Sequence, residues 1–221
     1  MGSRLSIALV ISLIGLSVAH AFATEGRTIG HFAVSSVGSA QYVIPVWAPP
    51  GPKGLQPRIS LTYDSNAGNG PVGVGWNIHG LSSIYRCNST YAQDSSAAAV
   101  TLTYSDRFCL DGQRLRLTSS ETLSTYGQSL TTYQTEIANF SNIIAQGATG
   151  NGPTYFTVQG RNGLTYEYGN GGNSQVLLGG TAYTWLLDKV TDRAGNTMTI
   201  TYMASSANLS GTTEPRAGPT L

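Results

Sequence analysis

The sequence predicts an all-β fold, an antiparallel module rich in hairpins, and three observations lead to it. Apolar or aromatic residues alternate with polar ones from residue 30 to residue 202, the period-2 signature of a half-buried strand. Turn chemistry recurs between the alternating runs, at Asp111-Gly112-Gln113, at Gly160-Arg161-Asn162-Gly163 and at Asp192-Arg193-Ala194-Gly195-Asn196. Only 23 of the 221 residues are charged, while 27 Gly, 24 Ser and 25 Thr make up about a third of the chain, a composition that disfavours long charged helices.

Taken in order, Ile59, Leu61 and Tyr63 share one face of a strand, and Leu102 and Tyr104 follow the same rule after Val100. Phe108 to Leu110 and Leu115 to Leu117 flank the Asp-Gly turn as a hairpin. Tyr155 to Gln159 and Leu164 to Tyr168 form the clearest hairpin, because an Asn-Gly pair supplies positive φ at its reversal. Trp185 to Val190 pairs with Thr197 to Tyr202, where Met198, Ile200 and Tyr202 alternate. Glu136 to Ala145 fits two patterns: Ile137, Phe140 and Ile144 make a helical stripe, whereas Ile143 beside Ile144 suits a strand. Trp47 to Pro57, with Pro49-Pro50-Gly51-Pro52, and the glycine-dominated Asn66 to Gly75 are expected to be irregular, since proline cannot donate to a sheet ladder.

Arg4 precedes an apolar stretch, Leu5 to Val18, that matches the roughly 7–15 residues of an export-signal core and falls short of the ~20 a spanning helix needs. Two small-x-small sites follow, and cleavage after Ala21 or Ala23 gives a mature chain starting at Phe22 or Thr24. The expected division is a signal peptide over 1–23, a β domain over 24–203 with its strands at about 30–202, and a disordered tail over 204–221 that has almost no apolar residues. The protein is then secreted or extracellular, or periplasmic, with no membrane attachment after the signal is removed. Losing Arg4 takes Lys+Arg from 12 to 11 and the net charge from +1 to 0.

This balance excludes an electrostatic binder. Only two of the twelve basic residues are lysines and none cluster, so nucleic acid is not an expected partner. In an oxidising compartment Cys87 and Cys109, 22 positions apart, are candidates for a disulfide worth about 3 kcal/mol of chain entropy; two reduced, buried thiols are the alternative. Two cysteines without CxxC spacing, with His31 and His79 far apart, make no zinc site. Gly68-Asn69-Gly70-Pro71-Val72-Gly73 matches a dinucleotide fingerprint but opens no helix, so it reads as a glycine-rich turn and no cofactor is expected. Asp64-Ser65-Asn66-Ala67-Gly68 resembles a calcium loop whose closing carboxylate position is Gly75. There is no G-x-S-x-G elbow and no closely spaced carboxylate pair, so no catalytic residue is assigned. Tyr42, Tyr63, Trp76, Tyr85, Tyr166, Tyr168 and Trp185 either fill sheet interfaces or make a sugar-stacking platform.

An ordered series of motifs adds to this reading. It runs through Gly30-His31-Phe32-Ala33-Val34-Ser35, Gly38-Ser39-Ala40-Gln41-Tyr42-Val43-Ile44-Pro45-Val46, Pro49-Pro50-Gly51 and Pro57-Arg58-Ile59-Ser60-Leu61-Thr62-Tyr63. It continues with Gly73-Val74-Gly75-Trp76, Gly80-Leu81-Ser82-Ser83-Ile84, Asp106-Arg107-Phe108-Cys109-Leu110-Asp111-Gly112-Gln113-Arg114-Leu115, Trp185-Leu186-Leu187 and Asp192-Arg193-Ala194-Gly195-Asn196. Over about 170 residues the chain resembles the SpvB-type amino-terminal domain of Salmonella virulence plasmid proteins, shared with the B components of insecticidal toxin complexes and with RHS/YD-repeat toxins. The resemblance implies a non-enzymatic module, an incomplete part of an RHS-type β shell that encloses and helps deliver a toxic carboxy-terminal domain. Its implied partners are other RHS or toxin-complex segments or a downstream toxin domain. In such proteins the cargo can be an ADP-ribosyltransferase acting on actin, and no transferase motif stands here. The chain reads as a truncated or separately encoded amino-terminal piece. Carried over by position, Gly73, Gly75 and Trp76 lie in a turn and Cys87 with Cys109 form a bridge. The competing reading is a secreted carbohydrate- or receptor-binding β module.

Overall fold

A computed structural model describes residues 29–203. The signal segment with its cleavage sites at Ala21 and Ala23, and the tail over 204–221, lie outside the described residues. Within them the regular structure is almost all strand; helix is limited to the single turn Tyr91–Asp94 and the 3-10 turns Pro52–Gly54 and Leu123–Thr125.

The first strands make an open sheet. β1 (His31–Val34), β2 (Ala40–Pro45) and β3 (Ser60–Asp64) run antiparallel, and after a small ribbon of β4 (Asn69–Gly70) and β5 (Gly73–Val74) the chain returns as β6 (Trp76–His79) beside β3. The ribbon puts two short strands inside the segment expected to be irregular. In register, Tyr42 faces Phe32 on one side and Tyr63 on the other, and Tyr63 faces Trp76 with ring centroids 5.4 Å apart. Gly75 has φ +78, and a Cβ there would lie 2.5 Å from the Tyr63 ring, so the turn before Trp76 admits only glycine.

The remaining strands close on themselves. β7 (Ser83–Cys87), β8 (Arg107–Leu110), β9 (Gln113–Leu117), β10 (Thr132–Thr135), β11 (Asn142–Gln146), β12 (Tyr155–Gln159) and β13 (Thr165–Tyr168) each pair antiparallel with the next. After β14 (Gln175–Leu178), the eleven-residue β15 (Thr181–Thr191) pairs with β13 through Leu187 to Thr191 and with β7 through Thr184 to Leu186. Seven consecutive strands plus β15 therefore form an eight-stranded antiparallel barrel; β14 and β16 (Thr197–Thr199) extend along the two margins of β15. Closure removes the free edges that an open sheet must protect.

Period-2 alternation fills the interior. Ile84, Phe108, Leu115, Tyr133, Ile143, Ala145, Phe156, Trp185 and Leu187 point inward and are almost wholly buried, as expected of an eight-stranded barrel whose lumen side chains just fill. Phe108 is the hub: its ring lies 5.4 Å from Tyr126, 5.3 Å from Phe156 and 5.5 Å from Trp185, mostly edge to face. The β8–β9 turn has Asp111 at φ 46 and Gly112 at φ 83, the two positive values that a two-residue hairpin of matching twist requires.

Three further sequence expectations change. The strand expected over Thr197 to Tyr202 pairs with β15 only as far as Thr199. Val100, Leu102 and Tyr104 do not form a strand: Leu102 has φ 59, and the Asp106 carboxylate accepts from the Thr101 and Thr103 N–H groups, curling the segment into a loop. In Glu136 to Ala145 only Asn142 onward is strand, with Ile143 inside the barrel, while Phe140 sits exposed at φ 59.

Tyr126 acts as a wedge. Pairing of β8 with β9 stops at Cys109–Arg114, and where the next rung would form, the Tyr126 hydroxyl accepts from the Phe108 N–H at 2.8 Å and donates to the Leu115 carbonyl at 3.3 Å. Burial drives its ionisation well above the ordinary phenol range, so it stays a neutral donor. Tyr126→Phe strands a buried N–H and a carbonyl, and is expected to cost about 1–3 kcal/mol in urea unfolding with an unchanged native circular dichroism spectrum.

Candidate functional site

Alternation along β7 turns Ile84 and Arg86 to the same, inward side, so a guanidinium enters the barrel beside the aromatic hub. Arg86 is 1% exposed, and its cost of burial is met by partners from three other segments. Nε donates to the Ala182 carbonyl, Nη1 to the Thr103 carbonyl and to Asp106 Oδ2 at 3.0 Å, and Nη2 to the Asn151 carbonyl. The Asp106 carboxylate is itself completed by Thr101 and Thr103. Phe108 and Trp185 rings lie 5.5 and 5.8 Å from the guanidinium carbon, adding a cation–π contribution. Every charge in this network is matched, so it offers a substrate neither a free acid nor a free base.

A second charged group lies on the outer face of the same strands. Asp94, from the helical turn, accepts from Arg107 Nε at 2.8 Å and also pairs with Arg114. Burial alone would raise its carboxyl, but the Thr90 N–H, the Arg107 hydrogen bond and the charges of Arg114 and Arg107 hold it below the usual range. Beside it the Cys87 and Cys109 sulfurs stand 2.10 Å apart, linking β7 to β8, and Arg114 Nη1 points at Cys87 Sγ from 3.3 Å. A cavity of about 360 Å3 opens over this cluster, with Arg116, Leu117, Leu123 and Glu136 at its rim.

Asp188 is the exception to this pairing. It is 4% exposed on β15, where the register with β13 shifts, and its Oδ1 has no hydrogen-bond partner among the described residues. Burial, with the Glu167 charge adding to it, pushes its carboxyl up, against the pull of the Gly171 N–H.

The open sheet is the opposite of the barrel. None of its large apolar side chains is fully buried, and Phe32, Val34, Val37, Trp47 and Val74 lie open, Trp47 at 82% and Val37 at 78%. His31 and His79 occupy its two opposite edge strands, both exposed. The Asp64 carboxylate accepts from Gln41, Asn66 and Ser39, which places it as a cap on its own turn. Of the aromatics singled out in the sequence, Tyr168 and Trp185 are inside the barrel, Tyr166 packs against its core, and Tyr42, Tyr63 and Trp76 belong to the separate sheet. They do not gather into one sugar-stacking platform. Among the described residues no three His, Cys, Asp or Glu side chains are placed to hold a metal, and no helix is long and apolar enough to cross a membrane. Arg86 was not singled out from sequence, although its spacing two positions from Ile84 in a strand carried the signal.

A family model described as Salmonella virulence plasmid 65kDa B protein matches residues 34–217. Among solved structures, the chain is similar to the TcdB2-TccC3 crystal structure, with TM-score 0.63 and 20% identity over 82% of this chain and 9% of that one. It is also similar to a Photorhabdus luminescens Tc holotoxin pore, with TM-score 0.59 and 20% identity over 81% and 9% of the two chains. A third likeness is to the N-terminal domain of the effector protein SpvB from Salmonella typhimurium, with TM-score 0.55 and 20% identity over 79% and 59%. At this identity the likeness is one of fold, and this chain spans only 9% of the length of the first two. A comparison with curated proteins gave no match.

Two variants test the buried charges. Arg86→Leu leaves Asp106 unpaired and is expected to cost about 3–5 kcal/mol in urea unfolding, with Asp106→Asn in the same background returning part of it. For Asp188 the folded-state carboxyl titrates above its unfolded value, so the native state binds more protons between the two, and the contribution of this group to stability falls as pH rises through that window. Asp188→Asn should therefore be more stable than wild type at pH 7, and the gain should vanish below about pH 4, where both states of the wild-type carboxyl are protonated. Thermal unfolding of both proteins across this range measures it.

Proposed function

Because the chain belongs to the Salmonella virulence plasmid 65kDa B protein family, we propose that it is a non-catalytic structural module of an exported RHS/SpvB-like toxin or virulence protein, contributing to the β shell that encloses or delivers a toxic domain. The observation that carries this reading is the contrast between a barrel that buries its own core and a four-stranded sheet that fully buries none of its large apolar side chains. A sheet with Phe32 and Val34 open two positions apart on one face of β1, and with β1 an edge unpaired among the described residues, is half of an interface. Its occupant is further β structure of the same machine, either another RHS or toxin-complex segment or the part that follows in the toxin chain. The short share of the toxin-complex chains that this protein spans leaves ample polypeptide for that role. Saturated charge networks suit a scaffold, because they fix loops. The apolar Leu5 to Val18 stretch supports export and a secreted, extracellular or periplasmic location.

Coexpression with a separately cloned RHS or toxin-complex segment tests the proposal. The two chains should copurify, and hydroxyl-radical footprinting should show Phe32 and Trp47 protected in the complex. The double variant Phe32→Lys, Val34→Lys should lose copurification while its circular dichroism is retained. A complex in which these side chains react as fast as in the free protein, or no complex at all, would sink the assignment.

A further inference from the structure

The two sulfurs differ in what surrounds them. Cys87 lines a cavity of about 200 Å3 whose wall includes Ser89, Asp94, Asp106 and Arg107 and whose rim residues Ser96 and Ala98 are exposed. Cys109 does not line it and is 8% exposed, covered on the outer face of β8. Charge acts on the same sulfur at a different moment, when Cys87 is later released as a thiolate. Arg114 Nη1 donates toward Cys87 Sγ, and Arg107 stands opposite Cys87 in the β7–β8 register. Arg107 and Arg114 share one carboxylate, Asp94, and the other carboxylate of the wall, Asp106, is paired with Arg86, so three guanidiniums face two carboxylates and the local field stays positive where a thiolate would form.

We propose that the Cys87–Cys109 bridge is a thiol-exchange site that takes small anionic thiols of the glutathione class, with Cys87 as the gateway sulfur that carries the mixed disulfide. In the first step the incoming thiolate attacks Cys87 Sγ through the cavity. The bond to Cys109 breaks, its electron pair leaves on Cys109 Sγ, and that sulfur takes a proton from water. In the second step another thiolate attacks the sulfur of the bound small molecule and Cys87 leaves as a thiolate beside Arg114. Two small thiols are oxidised to one disulfide and the protein bridge is reduced by two electrons. Access selects the sulfur in the first step, and Arg114 accelerates the second by stabilising the leaving thiolate. The barrel stays closed throughout, because the Arg86 network holds the same 88–106 segment through Thr103 and Asp106.

The test treats the oxidised full-length protein with limiting reduced glutathione at pH 7.5, traps free thiols with N-ethylmaleimide in acid, and maps both cysteines by peptide mass spectrometry. Glutathione should appear on Cys87 and maleimide on Cys109, with at least about tenfold preference. Arg114→Gln should make the Cys87 mixed disulfide accumulate by slowing its release, and Arg114→Lys should restore turnover; circular dichroism confirms that each variant keeps its sheet. Glutathione on Cys109, equal labelling of the two, no reaction without denaturant, or two free thiols in the untreated protein would each overturn the proposal.

Discussion

Closure through β15 is the constraint that the other features answer to. This strand must satisfy two neighbours at once, β13 along one margin and β7 along the other, while also extending past both to meet β14 and β16. Such a strand cannot keep uniform register, and the shift falls at Asp188, whose side chain is turned out of phase into a buried site. The same crossing brings the backbone of Gly169, at φ +81, against Trp185, where a Cβ would stand 2.4 Å from the indole. A ring of strands also fixes an interior volume that side chains must fill, which explains why so much of the aromatic content converges on Phe108.

The charges are sorted by this architecture. Within the barrel, Arg86 trades hydration for four hydrogen bonds and two aromatic faces, an arrangement whose value lies as much in fixing the loops from 101–106 and around 151 as in stability. Outside, Asp94 binds Arg107 and Arg114 and pins the helical turn over β8 and β9. The more exposed pair, Lys189 with Glu167, joins β15 to β13 across one rung and contributes little by comparison.

Much of this was legible in the residues where the physics is local. Asp111-Gly112 and Asn162-Gly163 announce their hairpins because the turn itself demands positive φ, and Met198 announces its strand by phase, although that strand ends at Thr199, short of Ile200. The Val100 to Tyr104 segment shows the limit of phase alone: three alternating residues read as strand, and a single carboxylate three residues on bends them into a loop. Closure and the Tyr126 wedge could not be read in the same way, because each depends on partners far along the chain; the inward phase of Arg86 was legible from Ile84, but its distant acceptors were not. The motif resemblance pointed to the right family while leaving open which sheet surface is bare.

The rung that seals the ring joins Ile84 to Trp185, positions about a hundred residues apart. Seven strands are complete before their last neighbour exists, and they form an incomplete curl with both margins unpaired until β15 emerges. Contacts of such sequence separation are slow to form. Sealing the ring therefore carries the largest loop-closure cost of any rung between neighbouring barrel strands.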